Sequence, residues 1–78
     1  MVELRFNDVG EGINEGKIVT WERKEGDKVN EGDVLVSVET AKITVEITSP
    51  TKGTVFKIYK KEKEEIQVGD LLVHIQND

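Results

Sequence analysis

The chain has 78 residues, 16 acidic against 11 basic, for a formal net charge of −5, and it contains no cysteine. That length bounds it to one domain with one small core, and the acidic balance argues against a partner built on a phosphate backbone. Without thiols there is no disulfide and no thiolate to bind metal or attack a carbonyl; no apolar run approaches a membrane span, and the start MVELRF lacks the apolar stretch of a signal peptide.

Apolar residues recur in short segments bounded by Gly, Asn and Asp. In chain order they predict strands at Val2–Phe6, Lys17–Arg23, Lys28–Val29, Val34–Glu39, Ile43–Ile47, Gly53–Tyr59, Glu65–Ile66 and Leu71–Ile75. Short, evenly spaced strands suggest a sandwich or flattened barrel, which buries edges that a small open sheet would expose. No long helix is expected. Between the first two strands, VGEGINEG offers Gly10, Gly12 and Gly16 as GxGxxxG, one residue off a dinucleotide fingerprint. No Ser or Thr follows Gly16–Lys17 and no helix follows, so the stretch reads as a surface loop whose glycines permit unusual backbone angles.

A shift of 37 residues aligns Gly16–Thr40 with Gly53–Asn77 without a gap, with 7 of 25 positions identical. Two copies are too few for a solenoid and point to one domain with internal two-fold pseudosymmetry. The repeat resolves KKEKEEI, Lys60–Ile66, which looks helical by composition. Its counterpart is RKEGDKV, Arg23–Val29, where Gly26 and Asp27 mark a turn, so both read as hairpin loops. Gly32–Asp33 and Gly69–Asp70 would start matching strands. His74, the single histidine, aligns with Ser37; with no triad or metal cluster to join, it reads as structural. Trp21 and its counterpart Ile58 are most simply core residues.

VSVETAKITVEIT, Val36–Thr48, breaks parity. Val34, Val36 and Val38 are even-numbered, whereas Ile43, Val45 and Ile47 are odd-numbered. A continuous strand cannot point both sets at one core, so a tight turn must intervene, and ETAK is that turn. It lacks Gly, Pro, Asn and Asp, but a type I turn tolerates most residues. Lys42 sits near its tip. It is either one of nine surface lysines or an amine displayed for covalent attachment.

Two motifs resemble the lipoyl domains of 2-oxo acid dehydrogenase complexes, most like those of the dihydrolipoamide acyltransferase component, over essentially the whole chain. FNDVGEGINEGKIVTW, Phe6–Trp21, is similar to the family's PDxGEGxxEGxIxxW. VETAKITVEITSPTKG, Val38–Gly53, is similar to xETDKxxxEIxSPxxG around the modified lysine. Gly26 and Gly53 also stand at the family's spacings from Lys42. Two positions depart: Asn7 stands where the family usually has Pro, and Ala41 where it usually has Asp. The second removes a turn-favouring residue and a negative charge beside the lysine.

The resemblance implies an all-β flattened barrel of two four-stranded antiparallel sheets with quasi-two-fold symmetry. It implies lipoate bound to Lys42 by an amide, with Glu39, Thr40, Ala41 and Ile43, and Asp8, Val9, Gly10, Glu11 and Gly12 of a nearby loop, serving modification or partner recognition. The implied partners are a thiamine-diphosphate-dependent oxo acid dehydrogenase, an acyltransferase core, a dihydrolipoamide dehydrogenase and a lipoate-attaching enzyme. A carrier of this kind has no catalytic side chains of its own and binds neither metal, nucleic acid nor membrane. The GEG loop leans toward pyruvate or branched-chain substrates.

Residues 1–78 are expected to form one monomeric domain excised from a longer chain, from bacterial or archaeal cytoplasm or a mitochondrial matrix. An acidic surface serves either solubility or docking to basic entrances; amide formation would take the formal charge from −5 to −6. Two rivals remain. A biotinyl carrier shares the fold but typically flanks its lysine with Met, where this chain has Ala41 and Ile43. An unmodified barrel-sandwich adaptor would not need the ETxK hairpin.

Overall fold

The computed structural model describes residues 1–7 and 12–77. Eight strands follow in order: β1 (Val2–Arg5), β2 (Glu15–Trp21), β3 (Lys28–Val29), β4 (Val34–Glu39), β5 (Thr44–Thr48), β6 (Gly53–Ile58), β7 (Glu65–Gln67) and β8 (Leu71–Asn77). They form two four-stranded sheets, β1-β8-β6-β3 and β5-β4-β2-β7, with every pairing antiparallel. No helix occurs among the described residues, and Lys60–Ile66 is turn and short strand despite its helical composition.

Each predicted strand is present, with ends adjusted by pairing. The second begins earlier, because Glu15 and Gly16 pair with Gln67 and Ile66. The last runs on to Asn77, opposite Gly53. The first stops at Arg5, and Phe6 turns into the core, where it is 1% exposed.

The core lies between the sheets. Ile18, Leu35, Val36, Val38, Leu72, Val73 and Ile75 are fully enclosed, with Phe6, Val29, Val55 and Ile66 nearly so. Val36 faces Ile47 and Val38 faces Val45, the arrangement that the parity break required. Ile43 is a correction: it lies in the turn, before β5 begins, and is 47% exposed. Leu35 breaks alternation for a different reason. The register slips between Val34 and Val36, so an extra residue on β4 lets Leu35 and Val36 both reach the core. Leu72 does the same on β8, opposite Leu4 and Arg5.

The repeat is a symmetry of backbone bonds. Gly26 N–H donates to Val55 O and Lys63 N–H to Ile18 O; Val55 N–H donates to Asp27 O and Ile18 N–H to Glu64 O. Asp33 accepts from Asn30 N–H as Asp70 accepts from Gln67 N–H, each at 2.8 Å, which explains the two Gly-Asp pairs. The Glu25 carboxylate accepts from Ile58 N–H at 2.8 Å, and Glu62 from Trp21 N–H at 3.1 Å, so each half caps a strand of the other. The symmetry also relates β4-turn-β5 to β8 and β1. The lysine turn therefore occupies, in one half, the place that the chain ends occupy in the other.

Where the halves differ, one has the better residue. Gly26 has φ +93°, and its counterpart Lys63 has φ +71°, a left-handed conformation that costs a non-glycine residue energy. Lys63→Gly is expected to stabilise the domain by about 1 kcal/mol, read as a raised urea midpoint. No gain would mean that the Lys63 side chain contributes as much as its backbone costs.

Trp21 corrects the expectation of a simple core residue. It is half-buried against the core, and its indole N–H donates to Lys60 O at 2.8 Å. The Glu62 carboxyl beside it lies below its usual range, chiefly because Trp21 N–H and then the Thr20 hydroxyl donate to it. A depressed carboxyl adds stability above its unfolded value and loses it as pH falls through the folded one. Glu62→Gln should therefore be less stable than the parent at neutral pH. The gap should close on acidification below the ordinary glutamate range, measured by urea unfolding across pH. A gap unchanged at low pH would refute the linkage.

Candidate functional site

From Val36 onward the β4–β5 hairpin pairs without a slip to its end, where Glu39 faces Thr44. Four residues close it. Thr40 N–H donates to Ile43 O at 2.9 Å, and the Thr40 hydroxyl donates to the same oxygen at 2.6 Å. The hydroxyl oxygen accepts from Ile43 N–H at 3.1 Å and from Lys42 N–H at 3.4 Å. Thr40 thus supplies the local side-chain bonding that Asp or Asn gives in other turns. This is how ETAK turns without any of the usual turn residues. The sequence signal was a hydroxyl residue at the head of the turn, and composition alone gives no hint that it makes three bonds.

Ala41, Lys42 and Ile43 are all exposed. Beside them runs the segment that follows the GEG loop. Gly12, Ile13, Asn14 and Glu15 join Ala41 and Lys42 in lining a groove of about 360 Å³. Ile13 is buried at 6% exposure and anchors this segment to the body of the domain, while Gly12 turns with φ +68°. A second groove, at the turn end of the hairpin, is lined by Glu15, Gly16, Lys17, Glu39, Thr40, Ala41 and Glu65. Gly12, Glu39, Thr40, Ala41 and Lys42 therefore come together, with Ile43 in the same turn. Asp8, Val9, Gly10 and Glu11 lie outside the described residues.

Around the lysine the charges are mostly negative. Lys17 lies between Glu39 on β4 and Glu65 on β7 in a cross-strand row, and Glu15 stands two residues along β2. Lys42 and Ala41 therefore stand beside an acidic rim.

Gly16, read from the sequence as a flexible loop glycine, does something else. It is a strand residue, and a Cβ there would lie 2.6 Å from Val38 Cγ1 and 3.1 Å from Glu39 O. Its role is close approach of β2 to the strand that leads into the lysine turn. Ser49 of the SP pair was also missed. Only 2% exposed, it donates from its hydroxyl to Thr51 O, and its backbone exchanges bonds with Gly32 and Asp33 at the base of the hairpin.

His74 lies on the other sheet. Its Nδ1 is 2.8 Å from Tyr59 Oη, and its Nε2 is 3.3 Å from Glu3 Oε2. Glu3 also takes a bond from Arg5, and these partners, His74 first, hold its carboxyl below the usual range. The cluster ties β1 and β8 to Tyr59, the residue that follows β6, in keeping with a structural histidine.

A family model, Biotin_lipoyl, described as "Biotin-requiring enzyme", matches residues 2–75. The chain is 49% identical over 77 residues to the dihydrolipoyllysine-residue acetyltransferase component of the pyruvate dehydrogenase complex of Acholeplasma laidlawii, covering 99% of this chain and 14% of that protein. It is 48% identical over 73 residues to the component of the same name from Staphylococcus aureus strain Mu50, covering 94% of this chain and 17% of that one. The chain thus spans well under a fifth of the length of these curated relatives. Among solved structures, the lipoyl domain of the 2-oxoglutarate dehydrogenase complex from Azotobacter vinelandii superposes with a TM-score of 0.81 at 26% identity, covering 99% of this chain and 98% of that one. A single-chain, multi-domain long-chain acyl-CoA carboxylase matches 92% of this chain with 6% of its own, at TM-score 0.78 and 21% identity, and shares the fold.

Proposed function

Since the chain belongs to the Biotin_lipoyl family and is a lipoyl domain, we propose that lipoate joined to Lys42 makes it the swinging-arm carrier of a pyruvate dehydrogenase type of complex. The observation that carries this is the exposed Lys42 at the tip of a turn clamped by Thr40, between two strands paired without a slip from Val36 to Glu39. A fixed base and a projecting amine suit attachment: Nζ takes the acyl carbon of an activated lipoate, the activating group leaves, and the amine gives up a proton. The residues beside Lys42 fit such a group, since small Ala41 and the groove against Gly12 and Ile13 leave room for it.

Bound lipoate supplies a dithiolane that accepts an acyl group and two reducing equivalents. The domain's own contribution is delivery. Lysine plus the lipoyl chain spans about 14 Å when extended, too little to bridge separate active sites, so the whole domain travels on a tether that holds its local concentration high. The destinations we propose are a thiamine-diphosphate-dependent oxo acid dehydrogenase, the acyltransferase core and a dihydrolipoamide dehydrogenase, with a lipoate-attaching enzyme acting first. The curated relatives support pyruvate as the oxo acid.

Intact and peptide mass spectrometry of the domain made in cells supplied with lipoate and biotin tests the reading. A lipoyl increment on Lys42 alone is expected. A biotinyl increment would keep the fold and replace the cargo. No adduct, with both attaching enzymes active on control domains, would leave an unmodified adaptor.

A further inference from the structure

We infer that Thr40 is the positioning residue for Lys42, holding the lysine's backbone in the pose that the lipoate-attaching enzyme reads; the inference rests on the reading of Lys42 as the lipoylation site. A hydroxyl has one proton to donate and two lone pairs to accept with. Thr40 uses all three on this turn: the proton goes to Ile43 O, and the lone pairs take the N–H groups of Ile43 and Lys42. Its own N–H adds a second bond to Ile43 O. Lys42 thus has its backbone bonded directly to the Thr40 side chain.

No other side chain in the turn is equipped for this. Ala41 and Ile43 have no polar side-chain atoms, and the family's usual turn-favouring Asp is replaced here by Ala41. The turn is also unique to its half of the molecule, since the symmetry-related position of Thr40 is Asn77, at the end of β8. Among the described residues, nothing in the other half duplicates the clamp. The β-methyl limits the side chain to few rotamers, which keeps the hydroxyl over the turn.

Position and stability are separable at this site. Thr40 is half-buried but its neighbours Glu39, Ala41, Lys42 and Ile43 are exposed, so water can satisfy Lys42 and Ile43 N–H once the hydroxyl is gone. Removing it should loosen Ala41 and Lys42 without unfolding the barrel. The enzyme would then have to order the turn on binding, which raises KM and leaves kcat, because Thr40 touches neither the amine nor the acyl carbon.

The test compares the parent domain with Thr40→Val, which keeps the branched shape without the hydroxyl, and Thr40→Ser, which keeps the hydroxyl without the methyl. Purified unmodified domains are given to a lipoate–protein ligase with lipoate and ATP, and amide hydrogen exchange is followed in parallel. For Thr40→Val, kcat/KM should fall roughly tenfold through KM, by the loss of net hydrogen-bond energy in the turn. Lys42 and Ile43 amides should exchange faster while those of β2 and β8 do not. Thr40→Ser should stay within about twofold of the parent. Equal rates for Thr40→Val and the parent would overturn the inference, and so would equal losses in both variants, which would assign the effect to the methyl. A parent domain that takes no lipoate would instead sink the reading of Lys42, whatever the exchange rates show.

Discussion

Lys42→Arg is expected to remove the lipoyl increment completely while shifting stability by less than about 0.5 kcal/mol, as for an exposed position away from core, cap or strained backbone. Arginine keeps the charge and most of the length. Its guanidinium stays protonated at any working pH and has no lone pair to offer an acyl carbon. The loss is therefore all-or-none, unlike the graded effect at Thr40. The chain has nine lysines, so the prediction also concerns selection among them. Lys17 is the informative control. It lies within the strand β2, pairs in register with Glu39 and Glu65, and lines a groove at the turn end of the same hairpin. Lys17→Arg should be modified as the parent is, because the proposed attachment requires an amine at a hairpin tip and not an amine near one. A lipoyl group that persists on Lys42→Arg would move the site elsewhere. Unfolding of that variant, seen as loss of the cooperative urea transition, would make Lys42 a structural lysine.

How much of this was legible beforehand depended on the kind of information each feature uses. The hairpin was legible because burial imposes a period of two, and a chain that changes parity between Val38 and Val45 must turn. The same rule overreached at Ile43, which has the right parity but lies in the exposed turn before β5 begins and so never meets the core. The repeat was legible in identities such as Gly32/Gly69 and Asp33/Asp70. What it means physically, a reciprocal exchange of backbone bonds between halves, involves groups common to every residue and leaves no mark on sequence. The bulges at Leu35 and Leu72 are likewise set by sheet geometry, and only the odd adjacency of two buried residues hints at them. The nearness of the GEG loop to the lysine came through family resemblance; among the described residues, Gly12, Ile13 and Asn14 line a groove with Lys42, and the rest of the loop lies outside them.

Gly53→Ala should be the most damaging single substitution considered, with a loss of about 2–4 kcal/mol against a typical total of about 5–15. Gly53 is buried at the start of β6, paired with Val29 on β3 and with Asn77 on β8. A Cβ at this position would overlap the carbonyl oxygen of Gln76 and would lie 3.0 Å from both Gln76 C and Ile75 Cγ2. A backbone oxygen cannot swing aside as a side chain can. Relief requires β8 to separate from β6, which breaks the ladder that carries Ile75 into the core. The symmetry-related Gly16→Ala meets a methyl of Val38 first, at 2.6 Å, and Glu39 O at 3.1 Å. Val38 is fully enclosed and β-branched, so it cannot rotate freely, yet small shifts of a side chain cost less than shifts of backbone. A loss of about 1–2 kcal/mol is expected there. Both values come from urea unfolding followed through Trp21, the single tryptophan. The expected order, Gly53→Ala worse than Gly16→Ala and both worse than Lys42→Arg, separates the glycine pair that lets the sheets close from the lysine that the closed sheets display. If Gly53→Ala cost less than Gly16→Ala, β6 and β8 would have to be freer to part than their register implies.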